Sequence, residues 1–271
     1  MNQQLLHKGW LAVEGTKVYY ETKGQGTPVI FLHAGIADSR MWDEQFEFFS
    51  KHDQAIRLDF RGFGNSVLTE DAFSHPDDIL KLYQELGIEK AVLVGASFGG
   101  AMSINFTLQH PDKVMGLVLS GGAVNGHQWS EAAQAYGEEE DALVESGDLD
   151  AATECNVTMW VNRPERRGKV NEAVCEKVRV MQNRAYELQL AIEEDNDESF
   201  NSEAKSRLKE IQVPVLVLVG EYDIDDMQQL AEKFSEDLNA PLVRFSESAH
   251  LPNMEEPEKF NQVVGDFLKG I

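Results

Sequence analysis

The hexapeptide Gly95–Gly100, with the sequence GASFGG, places a serine between glycines in a pattern suited to nucleophilic catalysis. An apolar run, Ala91–Val94, precedes it, and a helix-length stretch, Phe98–Gln109, follows it. On such a sharp turn the serine hydroxyl is lifted off the sheet edge, and the flanking glycines let strand and helix approach closely. This context predicts Ser97 as a nucleophile. The alternative is a glycine-rich turn in which Ser97 only caps the helix.

A serine hydroxyl is a weak nucleophile unless a base takes its proton and a carboxylate orients that base. With this type of turn the expected chain order is serine, then Asp or Glu, then His. The segment Gly220–Asp223 follows the apolar run Val213–Val219, and His250 lies shortly after Pro241–Phe245. Active-site residues collect at the carboxyl ends of parallel strands, so His250 is predicted as the general base of Ser97.

Three aspartates, Asp223, Asp225 and Asp226, compete for the role of the carboxylate. Asp226 is placed to cap the helix that follows. Asp223 lies nearest the strand end, and we therefore predict that it orients the base.

An oxyanion hole requires two backbone donors. The N–H group after the nucleophile, that of Phe98, is one candidate. The other is expected in the loop Leu32–Asp38, where Gly35 can approach a substrate without an intervening side chain. His33 is predicted to hold this loop by a hydrogen bond. The candidates for an apolar pocket wall are Trp42, Phe98, Met102, Trp129 and Trp160, with ordinary core packing as the alternative for each.

The elements that must position these residues alternate along the chain. A hairpin over Trp10–Val13 and Lys17–Glu21 precedes short apolar runs that read as strands of a parallel sheet covered on both faces, namely Pro28–Leu32, Gln54–Leu58, Ala91–Val94, Met115–Leu119, Val213–Val219 and Pro241–Phe245. Between them lie amphipathic stretches of helical length, Ser39–Lys51, Pro76–Leu86, Phe98–Gln109, Asp226–Leu238 and Pro257–Leu268. The pattern predicts a doubly wound, mostly parallel α/β sheet of eight strands with helices on both faces.

One long interruption separates the last strands from the others. Residues 125–205 contain no convincing strand and carry 19 acidic and 8 basic residues. Ala151–Trp160 and Glu172–Leu190 have helical spacing. The prediction is therefore an α/β core, residues 1–124 and 206–271, with a helical cap inserted at 125–205.

The composition limits partners. The 271 residues include 47 acidic and 24 basic ones, a net charge of -23, which disfavours nucleic acid and anionic membranes. Asp59–Ser66 forms a tight glycine-containing loop, but it lacks the Lys-Ser/Thr pair of a phosphate-binding loop. The spacing of the only cysteines, Cys155 and Cys175, fits no metal motif. No apolar run approaches the length of a membrane span, and Met1–Trp10 has no export signal, so a cytoplasmic protein is expected.

These residues together resemble the α/β-hydrolase superfamily with a helical cap. The similarity covers roughly Trp10–Asn125 and Lys205–Ile271. It rests on HAG at His33–Gly35 with Trp42 downstream, DFRGFGNS at Asp59–Ser66, GASFGG at Gly95–Gly100, GEYD at Gly220–Asp223 and AHLPNMEEPEKF at Ala249–Phe260.

The resemblance implies Ser97 as nucleophile, Asp223 as acid, His250 as base, and Gly35 and Phe98 as oxyanion donors. One departure is Ala34, because the family usually has glycine at this position of the oxyanion loop.

The motif set is similar to that of the carboxylesterases, enol-lactonases and C–C bond hydrolases, which need no cofactor. It implies a serine hydrolase of small or medium ester-like or lactone-like substrates, acting as a monomer or homodimer without a metal. A C–C hydrolase, hydroxynitrile lyase, perhydrolase or acyltransferase would share the same constellation, and a small-molecule sensor is a third possibility.

Overall fold

Eight strands form one sheet in the computed structural model, which describes residues 5–166, 171–193, 196–201 and 203–271. They are β1 (His7–Val13), β2 (Thr16–Gly24), β3 (Pro28–Leu32), β4 (Gln54–Leu58), β5 (Ala91–Ala96), β6 (Val114–Ser120), β7 (Val215–Gly220) and β8 (Leu242–Phe245). Their spatial order is β1-β2-β4-β3-β5-β6-β7-β8. β2 pairs antiparallel with β1 and β4, and the other five neighbouring pairs are parallel, so the prediction of a mostly parallel, eight-stranded α/β sheet is confirmed.

The helices of the described residues fall into two groups: some cover both faces of this sheet, and others lie between β6 and β7. They are α1 (Asp43–Phe49), α2 (His75–Leu86), α3 (Phe98–Gln109), α4 (Glu131–Glu145), α5 (Leu149–Trp160), α6 (Glu172–Gln189), α7 (Ala204–Arg207), α8 (Asp225–Asp237), α9 (Pro252–Glu255) and α10 (Pro257–Leu268). Successive strand residues enter opposite cores: Ile30 and Leu93 pack in one, while Val29 and Val92 pack in the other. This two-sided burial is why the strands read as unbroken apolar runs.

Two segments differ from the sequence-based expectation. The stretch Ser39–Lys51 is not one helix, because Ser39–Trp42 forms a 3₁₀ turn before α1 begins. Helix α4 lies in the segment predicted to be a helical cap, but the sequence pattern did not indicate it as a separate helix. Gly137 and the acidic run 138–141 interrupt its apolar spacing, and no residue of α4 is fully buried.

We call the residues between β6 and β7 that include α4, α5, α6 and α7 the helical insertion. Its described part contains no strand, although Asp197 makes a single bridge to Phe73 of the core. The division into a core and a cap at 125–205 stays a prediction. In the ranges that the structure describes, no helix has the length and apolarity needed to cross a membrane.

Candidate active site

Ser97 occupies a strained turn between β5 and α3. Its φ is 49° and its ψ is -112°, a conformation that non-glycine residues rarely adopt. The neighbouring glycines make the turn possible: a Cβ on Gly95 would lie 2.4 Å from the Gly99 carbonyl oxygen, and one on Gly99 would lie 2.2 Å from that of Leu32. The predicted strand-turn-helix context of the serine is therefore present.

Asp223 and His250 form a buried pair at the ends of β7 and β8. Oδ2 of Asp223 lies 2.8 Å from Nδ1 of His250, and both side chains are almost completely shielded from solvent. Gly121, with a φ of 51°, lies beside them, and a Cβ there would come within 3.1 Å of Nδ1 of His250 and 3.3 Å of Oδ2 of Asp223. The other oxygen of Asp223, Oδ1, accepts a hydrogen bond from the N–H of Ile224 at 2.9 Å.

The other two aspartates lie elsewhere. Asp225 is exposed. The prediction that Asp226 caps the following helix is wrong, because α8 begins at Asp225 and its N-cap is Ile224. Instead, Asp226 accepts hydrogen bonds from the N–H and hydroxyl of Ser130, and it lies 3.1 Å from Nε2 of His127. Burial opposes ionisation, but these hydrogen bonds prevail and lower the pKa of Asp226. It ties the start of the helical insertion to the core.

The predicted oxyanion loop lies against the start of α3. The position of a Cβ on Gly35 would be 3.7 Å from Cβ of Phe98, so the two predicted backbone donors are close neighbours. His33 holds the loop: Nε2 accepts a hydrogen bond from the N–H of Phe60 at 2.9 Å, and Nδ1 donates to the Ala34 carbonyl at 2.8 Å. Burial lowers the pKa of His33, which keeps the ring neutral. The methyl group of Ala34 is accommodated in a core cluster.

A cavity of about 490 Å³ joins these parts, with Gly35, Ser97, Phe98 and His250 on its wall. Trp129 and Trp160 line it too, as the pocket prediction expected. Trp42 and Met102 do not, and the prediction is corrected there. Trp42 is fully buried against Phe31 and Phe260, and Met102 is fully buried in the core on the α3 side. Both are large apolar side chains on inward faces, where packing between helix and sheet takes them away from the cavity.

Trp160, the last residue of α5, touches the histidine directly. Its indole ring lies 4.4 Å from the His250 ring between centroids, and its carbonyl accepts a hydrogen bond from the His250 N–H at 3.1 Å. The helical insertion therefore helps to fix the position of the imidazole, a role that spacing alone did not reveal.

The far wall of the cavity is polar and comes from the helical insertion. It contains Tyr136, Glu140, Asn156, Gln182 and Tyr186, none of which the sequence singled out. The hydroxyl of Tyr136 donates to Oδ1 of Asn156 at 2.7 Å. Sequence carries little signal for this wall, since Glu140 sits in an acidic run that looks like a solvated helix face. Within the described ranges, no cluster of three or more His, Cys, Asp or Glu side chains is arranged to hold a metal ion.

The fold agrees with comparisons to known proteins. Residues 27–257 match the family model described as alpha/beta hydrolase fold, so the chain belongs to that family. The AB hydrolase superfamily protein YisY of Bacillus subtilis (strain 168) is 25% identical, with 94% of this chain and 96% of that protein covered. The proline iminopeptidase of Heyndrickxia coagulans is also 25% identical, with 97% and 99% covered. The solved structure of a thermophilic esterase from Thermogutta terrifontis has a TM-score of 0.82 at 25% identity, covering 97% of this chain and 98% of that one.

Proposed function

We propose that this protein is a cofactor-independent serine hydrolase that cleaves small or medium ester-like or lactone-like substrates through an acyl-enzyme. The observation that carries the proposal is the convergence of a strained Ser97 with a buried Asp223–His250 pair at one cavity. A strained turn is retained only where the surrounding structure enforces it, and such turns cluster at reactive sites.

The hydrogen bond to Asp223 assigns the roles of the two imidazole nitrogens. Because Nδ1 of His250 donates to the carboxylate, Nε2 is left as the basic nitrogen. In the proposed reaction, Nε2 takes the proton of Ser97 as its oxygen attacks the substrate carbonyl, and Asp223 stabilises the resulting imidazolium. The imidazolium then protonates the leaving group, and a water activated by His250 hydrolyses the acyl-enzyme.

The backbone N–H groups of Gly35 and Phe98 are proposed to bind the oxyanion of the tetrahedral intermediate. Phe98 is the first residue of α3, so the positive end of the helix dipole faces the same point. The esterase neighbour and the iminopeptidase relative are named for different bonds, an ester and a peptide bond, and both bonds are cleaved by acyl transfer. The two names therefore support an acyl-transfer reaction more strongly than they support any particular leaving group.

The test is hydrolysis of p-nitrophenyl esters, from acetate to octanoate, by the wild type and by Ser97→Ala. Loss of the nucleophile is expected to lower kcat by about 10⁴–10⁶. The chain-length optimum would then size the cavity. Ser103→Ala is a matched control, because the Ser103 hydroxyl donates to the Gly99 carbonyl within α3 and is buried away from solvent.

Equal activity of Ser97→Ala and the wild type would refute the proposed nucleophile. A folded wild type that cleaves ring-cleavage diketones but no ester would favour a C–C hydrolase. Ligand-induced stabilisation without turnover would favour a sensor.

A further inference from the structure

The polar wall of the cavity contains the carboxylate of Glu140, and within the described ranges no Lys, Arg or His forms an ion pair with it. Oε1 of Glu140 accepts hydrogen bonds from Nδ2 of Asn156 at 2.7 Å and from the hydroxyl of Tyr186 at 2.6 Å. Both donors are neutral. Other carboxylates of the helical insertion do form ion pairs, for example Glu154 with Arg179.

Gln182 supplies a second acceptor beside this carboxylate. Its side chain lines the same cavity and is only 4% exposed, yet within the described ranges its Oε1 has no hydrogen-bond partner. A buried acceptor without a donor costs free energy on the order of 1–3 kcal/mol. A ligand in the cavity that carries an N–H or O–H donor can satisfy this acceptor.

The donors around Glu140 are fixed in their protonated form. Burial and then the hydrogen bond to Glu140 raise the pKa of Tyr186 well above its ordinary value. The Tyr186 hydroxyl therefore remains a donor to the carboxylate throughout the neutral range and does not itself take up charge. The wall thus presents one net negative charge to the cavity.

Part of the cavity wall is apolar, with Phe63, Met159 and Trp160 among its lining residues, and the last two lie on the same helix as Asn156. We propose that Glu140 and Gln182 form a binding subsite for a positively charged nitrogen, so that the preferred substrate or product carries an ammonium group on an apolar chain. The ammonium would pair with Glu140 and donate to Oε1 of Gln182, while the chain would lie against the apolar wall. As the substrate class of the reaction this rests on the proposed function, whereas the binding of the cation does not.

The rival explanation is structural, because the hydrogen bonds of Glu140 join α4 to α5 and α6. The variant Glu140→Gln distinguishes this structural role from the binding of a cation. Glutamine keeps the length and the carbonyl acceptor for Asn156 and Tyr186, but it removes the charge. The matched control is Glu139→Gln, which makes the same change in net charge at an exposed neighbour outside this cavity.

The first experiment measures binding without turnover, by titrating the wild type and both variants with hexylammonium, 1-hexanol and hexanoate in a calorimeter. We expect hexylammonium to bind wild type about 10-fold more tightly than 1-hexanol, with hexanoate weakest, since a charge-assisted hydrogen bond is about twice as strong as a neutral one. Glu140→Gln should abolish the preference, and Glu139→Gln should retain it. Equal affinities for hexylammonium and 1-hexanol in the wild type, or an equal loss in both variants, would overturn the proposal.

A kinetic measurement connects the subsite to the reaction. 6-Ammoniohexyl acetate and heptyl acetate have the same length and the same scissile ester bond, and they differ only in a terminal ammonium or methyl group. The wild type should favour the cation in kcat/KM by about 10-fold, and Glu140→Gln should favour neither. If ammonium ions bind but no ester is cleaved, the proposed function fails and the subsite stands; if esters are cleaved without this preference and without ammonium binding, the subsite fails alone.

Discussion

The two sides of the cavity are built in different ways. On the core side, Ser97, Asp223 and His250 follow directly from strand ends, and glycines fix the backbone around them: a Cβ on Gly220 would lie 1.9 Å from the carbonyl oxygen of Ala249. On the side of the helical insertion, contacts run between long side chains of α4, α5 and α6. The core side thus depends on fixed backbone geometry, whereas the polar wall depends on contacts between side chains of the helical insertion.

The strongest test of this difference uses two Asp–His pairs, one beside Ser97 at the cavity and one that joins the helical insertion to the core. Asp223→Asn should lower kcat by about 10⁴, because an amide can leave His250 in the wrong tautomer. Asp226→Asn alters the contacts to His127 and Ser130, which anchor the helical insertion. It should leave kcat close to the wild-type value. Steady-state kinetics on the best ester substrate give kcat for both variants. Similar losses of kcat in the two would contradict the proposed difference between the catalytic pair and the anchoring pair.

Arg166 connects the helical insertion to the segment that carries His250, and its substitution should give the next largest effect, a loss of stability. This buried arginine of the helical insertion pairs with Glu255 and donates to the Glu247 carbonyl, while Oε1 of Glu255 accepts hydrogen bonds from the N–H groups of Ala249 and Leu251 beside His250. Burial raises the pKa of Glu255 in spite of the arginine. Arg166→Met should therefore lower the free energy of unfolding by about 3 kcal/mol, because it leaves a buried carboxylate unpaired.

Urea denaturation of three variants tests this role of the ion pair. Arg166→Met with Glu255→Gln should recover part of the stability, since the uncompensated charge is gone. Lys269→Met, which breaks an exposed ion pair with Asp266, should unfold like the wild type. A double variant no more stable than Arg166→Met would show that packing of the arginine, and not its charge, matters.

His75 should make stability depend on pH. Burial lowers its pKa to about 3, the positive charge of Arg61 acts in the same direction, and the Asp197 carboxylate 3.5 Å away does not reverse the shift. An unfolded histidine titrates near 6.5, so between about pH 3 and pH 6.5 the unfolded state binds more protons. The neutral His75 ring therefore makes its whole contribution to the free energy of unfolding above pH 6.5, and this contribution decreases as the pH is lowered. The loss at pH 5 should be about 2 kcal/mol.

Chemical denaturation at pH 7 and pH 5 measures this loss in the wild type and in His75→Gln. The variant should be less stable at pH 7 but should lose less between the two pH values. His52→Gln, at an exposed histidine, should follow the wild-type pH dependence. Parallel curves for His75→Gln and wild type would exclude His75 as the source.

The smallest effect is expected from the aromatic contact to His250. Trp160→Ala should lower kcat/KM by up to about 10-fold, because an aromatic pair contributes about 0.5–1.5 kcal/mol beyond area burial. Trp129 lines the same cavity but packs on His127, so Trp129→Ala should lower kcat/KM less than Trp160→Ala does. A larger loss of kcat/KM in Trp129→Ala than in Trp160→Ala would show that the ring contact of Trp160 with His250 is unimportant.

The sequence determined the core side in considerable detail. The six apolar runs and the hairpin predicted the eight strands to within a few residues, and the GASFGG turn could be located from its strand and helix neighbours. These features are local, because a strand end, a glycine turn and a helix start are each encoded by adjacent residues. The fold class and the family followed from them.

Only the tertiary structure decided the side of the helical insertion. Helix α4 was not indicated as a separate helix, and nothing in the run 138–141 distinguishes Glu140 from Glu139. One residue along a helix turns the side chain by about 100°, so which carboxylate enters the cavity depends on how α4 packs on α5 and α6. The same holds for Trp42 and Met102, whose residue types suited a pocket but whose faces of the chain point into the core.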